Sequence, residues 1–287
     1  MMLKKIKKIF KITGIIIAVL LIGLLIAAHI FFKPASDKKS IEELTTDYLQ
    51  PKIIYNSYKG FEYRVVAMQK EIDTTKSTLV FIHGSPGSFL DYKRYLKDSI
   101  LNTKANILSY DRVGYGTKNT GNVQGSIDFE MGVLHNVIKD IPTEKIILIG
   151  YSYGGSIILA SPKTYKYKVS LASAVKADLE PMFWAMKIYD WKLTRWLLPK
   201  KVQAAAKEKY SHLKDLPKFY NKWSDSPSPI INIHGDKDWI VPYQNSIFLQ
   251  NKIDADKFNM ITIKDGGHEL IWSDFELIKS EILKTLK

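Results

Sequence analysis

The stretch KIILIGYSYGGSIIL, residues 145–159, places an apolar run directly before a glycine-rich turn that contains one serine, Ser152. The run is typical of a buried strand, and the residues after the turn are compatible with a helix. GYSYG (150–154) has the G-x-S-x-G form of a nucleophile elbow, in which a sharp strand-to-helix turn exposes a serine. The same glycines would also let a helix pack closely, so the turn alone leaves both interpretations open.

Strand and helix patterns alternate along the chain from about residue 51 onward. Besides the run before Ser152, apolar runs predict strands at 62–68, 78–84, 106–111, 168–175, 229–236 and 258–265. Helical patterns cover 89–101, 127–141 and 275–287. Such alternation predicts an α/β fold with a mostly parallel central sheet flanked by helices on both faces. We assign residues 51–178 and 227–287 to this core.

Residues 179–226 interrupt the alternation, because a connection between two strands usually has only about 2–6 residues. The segment is rich in aromatic residues and predicts a short helical cap, inserted after the sixth strand. Four aromatic residues in or near it are candidates for the wall of a substrate pocket: Phe183, Trp184, Trp191 and Trp239. The alternative is that the aromatic residues only pack the cap against the core.

The N-terminus contains an uncharged apolar segment, ITGIIIAVLLIGLLIAAHIFF, at residues 12–32. As a helix it would extend roughly 30 Å, which matches the hydrocarbon core of a bilayer. We predict a single-pass membrane anchor; a cleaved signal peptide and a buried soluble helix are the alternatives. The lysine-rich segment 1–11 predicts a cytoplasmic N-terminus, with the rest of the chain periplasmic or extracellular. Residues 33–50 are then a polar linker that we expect to bury little.

Composition excludes some function classes. The net charge is +13, but the densest group of lysines flanks the apolar segment, and no basic cluster with interleaved aromatic residues follows. This distribution argues against a nucleic-acid groove. The chain has no cysteine, which excludes disulfides and thiolate metal sites. Its 46% hydrophobic and 25% charged residues are ordinary for a protein with a sizeable core.

A serine hydroxyl needs a base to act as a nucleophile, and the base needs an orienting carboxylate. Of the six histidines, His268 is the best candidate, because it follows the last predicted strand on a flexible two-glycine loop. His83 and His234 each end a strand and precede a glycine, so we expect them to serve backbone geometry. HGDKDWIVP (234–242) offers two acids, Asp236 and Asp238, and local position alone does not choose between them.

The chain resembles the α/β-hydrolase superfamily over roughly residues 55–287. The matching elements are HGSPGS (83–88), DRVGYG (111–116), GYSYGG (150–155), and GDKDWIVP (235–242) with GGH (266–268). Each element is common alone, but their combination in nucleophile–acid–histidine order is specific. The esterase and proline iminopeptidase branches of the superfamily are the most similar.

The resemblance implies a role for each candidate residue. Ser152 would be the nucleophile and His268 the general base, with Asp238 as its orienting carboxylate, because the family's G-x-x-D pattern selects the third residue after the glycine. The backbone amides of Ser85 and Tyr153 would form the oxyanion hole. The resemblance implies no metal and no organic cofactor, and it assigns no role to Tyr151.

Three functions remain open. The leading expectation is hydrolysis of a carboxylic ester or related acyl bond on a small-molecule substrate, because an aromatic and basic cap suits an apolar or anionic group. A proline iminopeptidase-like aminopeptidase is the alternative within the same chemistry. A non-catalytic ligand-binding receptor is the alternative of another class, because a fold does not determine a function.

Overall fold

The computed structural model describes residues 2–184 and 186–287. Its strands are β1 (Lys52–Tyr58), β2 (Phe61–Ala67), β3 (Thr78–Ile82), β4 (Asn106–Tyr110), β5 (Ile146–Tyr151), β6 (Tyr167–Leu171), β7 (Ile230–Gly235) and β8 (Phe258–Ile263). They form one sheet in the order β1-β2-β4-β3-β5-β6-β7-β8. β2 pairs antiparallel with both β1 and β4, and all other neighbours are parallel. The predicted α/β class with a mostly parallel sheet is confirmed.

The α-helices begin with α1 (Met2–Phe31), α2 (Asp37–Leu44), α3 (Lys93–Leu96), α4 (Ser99–Lys104), α5 (Ile127–Val137) and α6 (Tyr153–Ala160). They continue with α7 (Met186–Asp190), α8 (Lys200–Asp215), α9 (Gln244–Gln250), α10 (Leu270–Ser273) and α11 (Phe275–Thr285). Short 3-10 turns cover Phe89–Tyr92, Thr143–Lys145, Ala177–Leu179, Arg195–Leu197, Leu216–Phe219 and Trp223–Asp225.

Two hydrophobic layers cover the sheet, as the alternation of side chains along a central strand requires. In β3, Val80 and Ile82 face the layer that contains α5, α6 and α9, whereas Leu79 and Phe81 face the layer of α3, α4 and α11. All four side chains are fully buried. The uninterrupted apolar runs in the sequence therefore correspond to strands that are buried on both faces.

The structure differs from the sequence prediction at several boundaries. β1 is an additional edge strand that the sequence analysis does not include, because its side chains are exposed or half-buried and form no strong apolar run. The strand predicted at 168–175 ends at Leu171. The helical pattern at 89–101 is divided between a 3-10 turn and the short helices α3 and α4.

The linker predicted at 33–50 contains a helix, α2. Ser36 caps its first turn by accepting a hydrogen bond from the amide of Lys39, and Leu44 at its end is fully buried. Asp37 forms an ion pair with the buried Arg64 of β2 at 2.8 Å. This segment therefore packs on the core, and the expectation that it buries little is wrong at Leu44.

The cap lies between β6 and β7, in the predicted position. The strand before it is the fifth of the seven that the apolar runs predict, and it is the sixth only when β1 is counted. The cap consists of the single-turn helix α7, the longer helix α8 and several 3-10 turns. Within the N-terminal helix α1, the part Lys5–Phe31 is almost entirely exposed, and it is long and apolar enough to cross a membrane by length and composition.

Candidate active site

Ser152 lies in the turn between β5 and α6. Its backbone has φ 54° and ψ −120°, a conformation that costs free energy for a residue with a side chain. The sheet supports this turn, because the Ser152 amide donates a hydrogen bond to the Leu171 carbonyl of β6 at 2.8 Å. A strained turn held in this way is the arrangement expected of a nucleophile elbow.

The two glycines of the motif are required by close backbone contacts. A Cβ at Gly150 would overlap the carbonyl of Gly154, and a Cβ at Gly154 would overlap the carbonyl of Ile82 on β3. The glycines therefore allow close packing, and the same packing places Ser152 at the carboxyl end of β5, where the residue is only 8% exposed and its Oγ faces His268.

His268 and Asp238 reach Ser152 from the carboxyl ends of neighbouring parallel strands. His268 follows β8, and its Nε2 lies 3.1 Å from Ser152 Oγ. Its Nδ1 lies 2.6 Å from Oδ2 of Asp238, which follows β7. Parallel strands end at one edge of the sheet, so residues that are distant in sequence meet there. The structure brings all three candidate residues into one hydrogen-bonded chain.

Asp238 is a strongly held carboxylate. Its Oδ1 accepts hydrogen bonds from the backbone amides of Ile240 and Val241 at 2.9 and 2.8 Å. Burial by itself would raise the pKa of Asp238, but hydrogen bonds from His234 and His268 hold that pKa well below its usual range. Asp238 is therefore ionised throughout the neutral range and can orient His268. Asp236, the other acid considered, instead accepts a hydrogen bond from the Asp265 amide.

His234 has a different role from the expected one of backbone geometry alone. Its Nε2 lies 3.1 Å from Asp238 Oδ2 and 2.9 Å from the Val241 carbonyl, both of which are acceptors. Its Nδ1 lies 2.6 Å from Ser246 Oγ. These partners assign the proton to Nε2, so the buried His234 donates to the carboxylate that also holds His268.

The HGSPGS loop follows β3, next to β5 in the sheet. His83 Nδ1 donates to the Gly84 carbonyl at 2.7 Å, and His83 Nε2 accepts from the Arg112 amide at 3.0 Å. Burial, followed by the charge of Arg112, holds the pKa of His83 well below its ordinary value. Neutral His83 thus fixes the loop that carries Ser85. Within the described part of the chain, the backbone amides of Ser85 and Tyr153 donate no hydrogen bond to the protein.

A buried polar network joins this loop to the cap helix α8. The Arg112 guanidinium donates to the Gly84 carbonyl at 3.1 Å and pairs with Glu208 of α8. The Tyr115 hydroxyl donates to the other oxygen of Glu208 at 2.6 Å and can therefore accept from Ser85 Oγ, also at 2.6 Å. The cap thus contacts the candidate oxyanion loop through charged and hydroxyl groups.

Glu130 of α5 is a second carboxyl group beside Arg112, 3.4 Å from its guanidinium. Burial raises the pKa of Glu130 to about 7, against the lowering effect of Arg112. One buried cation therefore faces two carboxylates, one of which keeps its proton below neutral pH.

The candidate pocket residues divide into two pairs. The rings of Phe183 and Trp239 contact each other edge to face, with their centroids 5.6 Å apart, and Trp239 directly follows Asp238 in the sequence. Trp184 and Trp191 are largely exposed on the cap. In the contacts that the structure describes, neither touches Ser152, Asp238 or His268. A pocket role for these four residues stays a prediction.

Tyr151 is positioned to support His268. Its hydroxyl donates to the His268 backbone carbonyl at 2.8 Å, and the two rings lie 5.0 Å apart. Sequence reasoning leaves Tyr151 unassigned, and it misses the pairing of Arg112 with Glu208, 96 residues away. The only available signal is the position of Arg112 within the DRVGYG motif. Within residues 2–184 and 186–287, no group of three or more His, Asp or Glu side chains could hold a metal ion.

The fold and these strand-end residues define an α/β-hydrolase scaffold. The model of the alpha/beta hydrolase family matches residues 79–277, and the chain belongs to that family. It is 27% identical to a proline iminopeptidase from Lactobacillus delbrueckii subsp. lactis in an alignment of 144 residues that covers 47% of each protein. The chain therefore spans about half the length of the curated relatives it matches.

Solved structures with different activities share this fold. An esterase from Exiguobacterium antarcticum matches with a TM-score of 0.63 at 13% identity, over 81% of this chain and 98% of its own. The 2-hydroxy-6-oxo-6-phenylhexa-2,4-dienoate hydrolase from Rhodococcus sp. strain RHA1 matches with a TM-score of 0.62 at 12% identity, over 82% of this chain and 99% of its own. At these identities the likeness concerns the fold alone, so the activity has to be argued from the site.

Proposed function

We propose that this chain is a membrane-anchored serine hydrolase that cleaves a carboxylic ester or related acyl bond through a covalent acyl-enzyme. The observation that carries the proposal is the continuous chain of hydrogen bonds from Ser152 Oγ through His268 to Asp238, at 3.1 and 2.6 Å. The strained backbone of Ser152 supports it, because such a turn is maintained only where the surrounding structure holds it.

In the first half of the reaction, Ser152 Oγ attacks the carbonyl carbon of the substrate while His268 Nε2 takes its proton. The carbonyl oxygen becomes negatively charged and accepts hydrogen bonds from the amides of Ser85 and Tyr153. The ionised Asp238 stabilises the imidazolium that forms. His268 then gives the proton to the leaving oxygen, the carbon–oxygen bond breaks, and the alcohol departs from the acyl-enzyme.

In the second half, water replaces the alcohol. His268 takes a proton from the water as its oxygen attacks the acyl carbon, and the same amides stabilise the second oxyanion. The bond to Ser152 Oγ then breaks, the proton returns from His268 to the serine, and the carboxylic acid is released. The cycle needs no metal or organic cofactor, since the protein groups account for every proton transfer.

The pairing of the two buried cap glutamates, Glu180 and Glu208, supports an ester over an aminopeptidase substrate. Recognition of a free amino terminus needs an available carboxylate, but Glu208 is paired with Arg112 and Tyr115. Glu180 is paired through one oxygen with Lys209 and His212. An ammonium group would have to compete with these buried partners, whereas a neutral acyl ester would not.

A proline iminopeptidase-like activity is the second candidate. The curated relatives favour it, and so does the second oxygen of Glu180, Oε1, which is buried and has no hydrogen-bond partner among the described residues. Parallel assays on p-nitrophenyl acyl esters and on proline arylamides separate the two. We expect hydrolysis of the esters; hydrolysis of the arylamide alone would establish the aminopeptidase instead.

Labelling with a fluorophosphonate probe tests the mechanism itself. We expect the full chain to be labelled at Ser152, and the Ser152→Ala variant to remain unlabelled and to lose roughly 10⁶-fold in kcat. Circular dichroism of the variant provides the folding control. A folded protein that is neither labelled nor able to hydrolyse any acyl ester would contradict the proposal and favour a non-catalytic ligand-binding receptor.

The anchor is part of the same proposal. Helix α1 is exposed and apolar over Lys5–Phe31, and its N-terminal lysines favour a cytoplasmic start. We expect the full chain to resist extraction from membranes by alkaline carbonate. We also expect the hydrolase domain to be accessible to protease added outside intact cells or spheroplasts. Release by carbonate, or protection from that protease, would overturn the anchor or its orientation.

A further inference from the structure

The cap exposes a short apolar segment that the proposed chemistry does not use: Trp191-Lys192-Leu193-Thr194-Arg195-Trp196, called here the WKLTRW segment. Trp191, Leu193 and Trp196 are 60%, 68% and 70% exposed. Large apolar side chains concentrated in six residues are uncommon on a surface that faces only water, and they commonly mark an interaction site.

The segment is held in shape by its own contacts. The Trp196 indole Nε1 donates to the Leu193 carbonyl at 2.9 Å, the Thr194 hydroxyl donates to the Ile188 carbonyl at 2.8 Å, and Arg195 Nε donates to the Tyr189 carbonyl at 2.6 Å. These bonds occupy polar groups within the cap and leave the apolar side chains exposed. The exposed surface is thus formed before any partner binds.

The charge of the region indicates the chemistry of its partner. Residues 191–200 contain three cationic side chains and no acidic one: Lys192, Arg195 and Lys200. The exposed Asp190 precedes them and accepts a hydrogen bond from the Tyr210 hydroxyl, whereas Lys201 donates to the Gly87 carbonyl of the core. Tryptophan is enriched at the level of lipid headgroups, where its ring lies among apolar groups and its N–H among polar ones. Basic side chains near an anionic bilayer each contribute about 1 kcal/mol of attraction. The combination fits an anionic lipid surface.

The position of the region supplies an independent argument. The end of α1 and the start of α8 line one open cavity of about 380 Å³, to which His29, Phe32 and Lys33 contribute from one side and Pro199–Lys201 from the other. The WKLTRW segment ends three residues before this cavity. The domain is tied close to the end of α1 by the ion pair of Asp37 with Arg64.

We propose that the WKLTRW segment, together with Lys200, lies on the anionic surface of the bilayer in which α1 is embedded. This second membrane contact rests on the proposed anchoring by α1, but not on the proposed hydrolysis. It orients the cap toward the lipid. Trp191 accordingly contacts headgroups rather than the wall of a substrate pocket.

Tryptophan fluorescence of the full chain tests this contact directly. All six tryptophans lie outside α1, so the anchor contributes no signal. The chain is reconstituted into vesicles of phosphatidylcholine and phosphatidylglycerol, with and without brominated phosphatidylcholine as a quencher, and incorporation is checked by flotation. We expect the brominated lipid to remove up to a third of the emission, since Trp191 and Trp196 are two of the six tryptophans.

The double variant Trp191→Ser/Trp196→Ser should lose this quenching while still floating with the vesicles. The control Ile100→Ser/Leu277→Ser removes exposed apolar side chains elsewhere on the domain and should keep it. Lys192→Ala/Arg195→Ala should weaken the quenching in anionic vesicles, and replacing phosphatidylglycerol by phosphatidylcholine should do the same.

Equal quenching in the Trp191→Ser/Trp196→Ser variant and the unchanged chain would overturn the proposal. Absence of quenching in the unchanged chain would also overturn it, and that is the result expected if a protein partner covers the segment. Failure of the unchanged chain to float with the vesicles would overturn it as well. The Ser152→Ala variant should be quenched like the unchanged chain. Failure of this proposal is therefore distinguishable from failure of the proposed hydrolase activity.

Discussion

The carboxyl edge of the sheet and the cap both supply polar groups to the region around Ser152, but they hold them by different contacts. At the sheet edge, Asp238 Oδ1 is held by two backbone amides, its Oδ2 faces two histidines, and the carbonyl of His268 is held by Tyr151. In the cap, Glu208 is held by the side chains of Arg112 and Tyr115. The first arrangement follows from where strands end, and the second depends on partners that are remote in sequence.

The difference has an energetic consequence. Backbone amides near a strand end stay in place when one side chain is changed, so a substitution at the sheet edge should alter chemistry more than folding. A buried ion pair behaves in the opposite way, because removal of one partner leaves the other charge buried and uncompensated. Substitutions at the sheet edge should therefore change catalysis most, and substitutions in the cap should change stability most.

The largest effect is expected from Asp238→Asn at the sheet edge. An amide cannot stabilise the imidazolium of His268 or hold its productive tautomer, so we expect kcat to fall by roughly 10⁴-fold. The unfolding midpoint in urea should also fall, because a carboxylate whose pKa is lowered in the folded chain stabilises the fold at neutral pH, but circular dichroism should show a folded protein. Asp236→Asn is the matched control, because Asp236 has no contact with His268 among the described hydrogen bonds. Equal activity of the two variants would remove Asp238 from the proposed mechanism.

On the cap side, Glu208→Gln should affect stability first. The variant leaves the buried Arg112 with Glu130 as its remaining carboxylate partner, and we expect a loss of about 3 kcal/mol in the free energy of unfolding. Hydrogen exchange should locate the loss in α8. Lys214→Gln, an exposed change on the same helix, is the control. If both variants unfold alike in urea, the ion pair does not hold the cap.

Glu130→Gln should change how stability depends on pH. With the pKa of Glu130 raised to about 7, the folded chain keeps a proton that the unfolded chain loses above about pH 4.5. Stability of the unchanged chain therefore falls, through this group, as pH rises from about 4.5 to 7. Relative to it, the variant should gain about 3 kcal/mol across that window and little more above it. Urea unfolding at pH 5 and pH 8 measures this, and a constant difference would contradict it.

The smallest effect is expected from Tyr151→Phe, which removes the hydrogen bond to the His268 carbonyl but keeps the ring. A lost hydrogen bond of about 1 kcal/mol corresponds to a roughly five-fold lower kcat. KM should not change, because Tyr151 acts through His268 and not on the substrate. Tyr48→Phe removes a similar hydrogen bond to the Lys97 carbonyl, far from the site, and should leave kcat unchanged. A change in KM alone would argue against positioning by Tyr151.

Local sequence patterns were sufficient for most of the fold. Apolar runs predicted the seven strands from β2 to β8. The strands from β2 to β7 are largely buried and must be apolar, whereas β8 is an edge strand with only its two end residues buried. Apolar runs did not predict β1, whose exposed edge allows polar residues. They also missed α2, since an eight-residue polar helix depends on Ser36 as its cap and on the buried Leu44 for its stability.

The candidate site was predictable only where its geometry is local. Gly150, Ser152 and Gly154 belong to one turn, and the tight contacts of that turn are required by its backbone conformation. The sequence predicts only a role in backbone geometry for His234, because its contact with Asp238 depends on how the chain turns after β7. The pairing of Glu208 with Arg112 joins residues 96 positions apart, so no local pattern indicates it.

By itself, the sequence determined the α/β class, the apolar N-terminal segment, the insertion after β6 and the glycine-framed turn at Ser152. Each of these follows from the order of residue types along a short stretch, where burial and steric limits act directly. Only the tertiary structure decided that His268 reaches Ser152, that Asp238 holds two histidines, and that Arg112 joins the loop of Ser85 to Glu208. Those contacts arise because parallel strands bring their carboxyl ends to one edge, and no local pattern specifies distances between residues that are far apart in the chain.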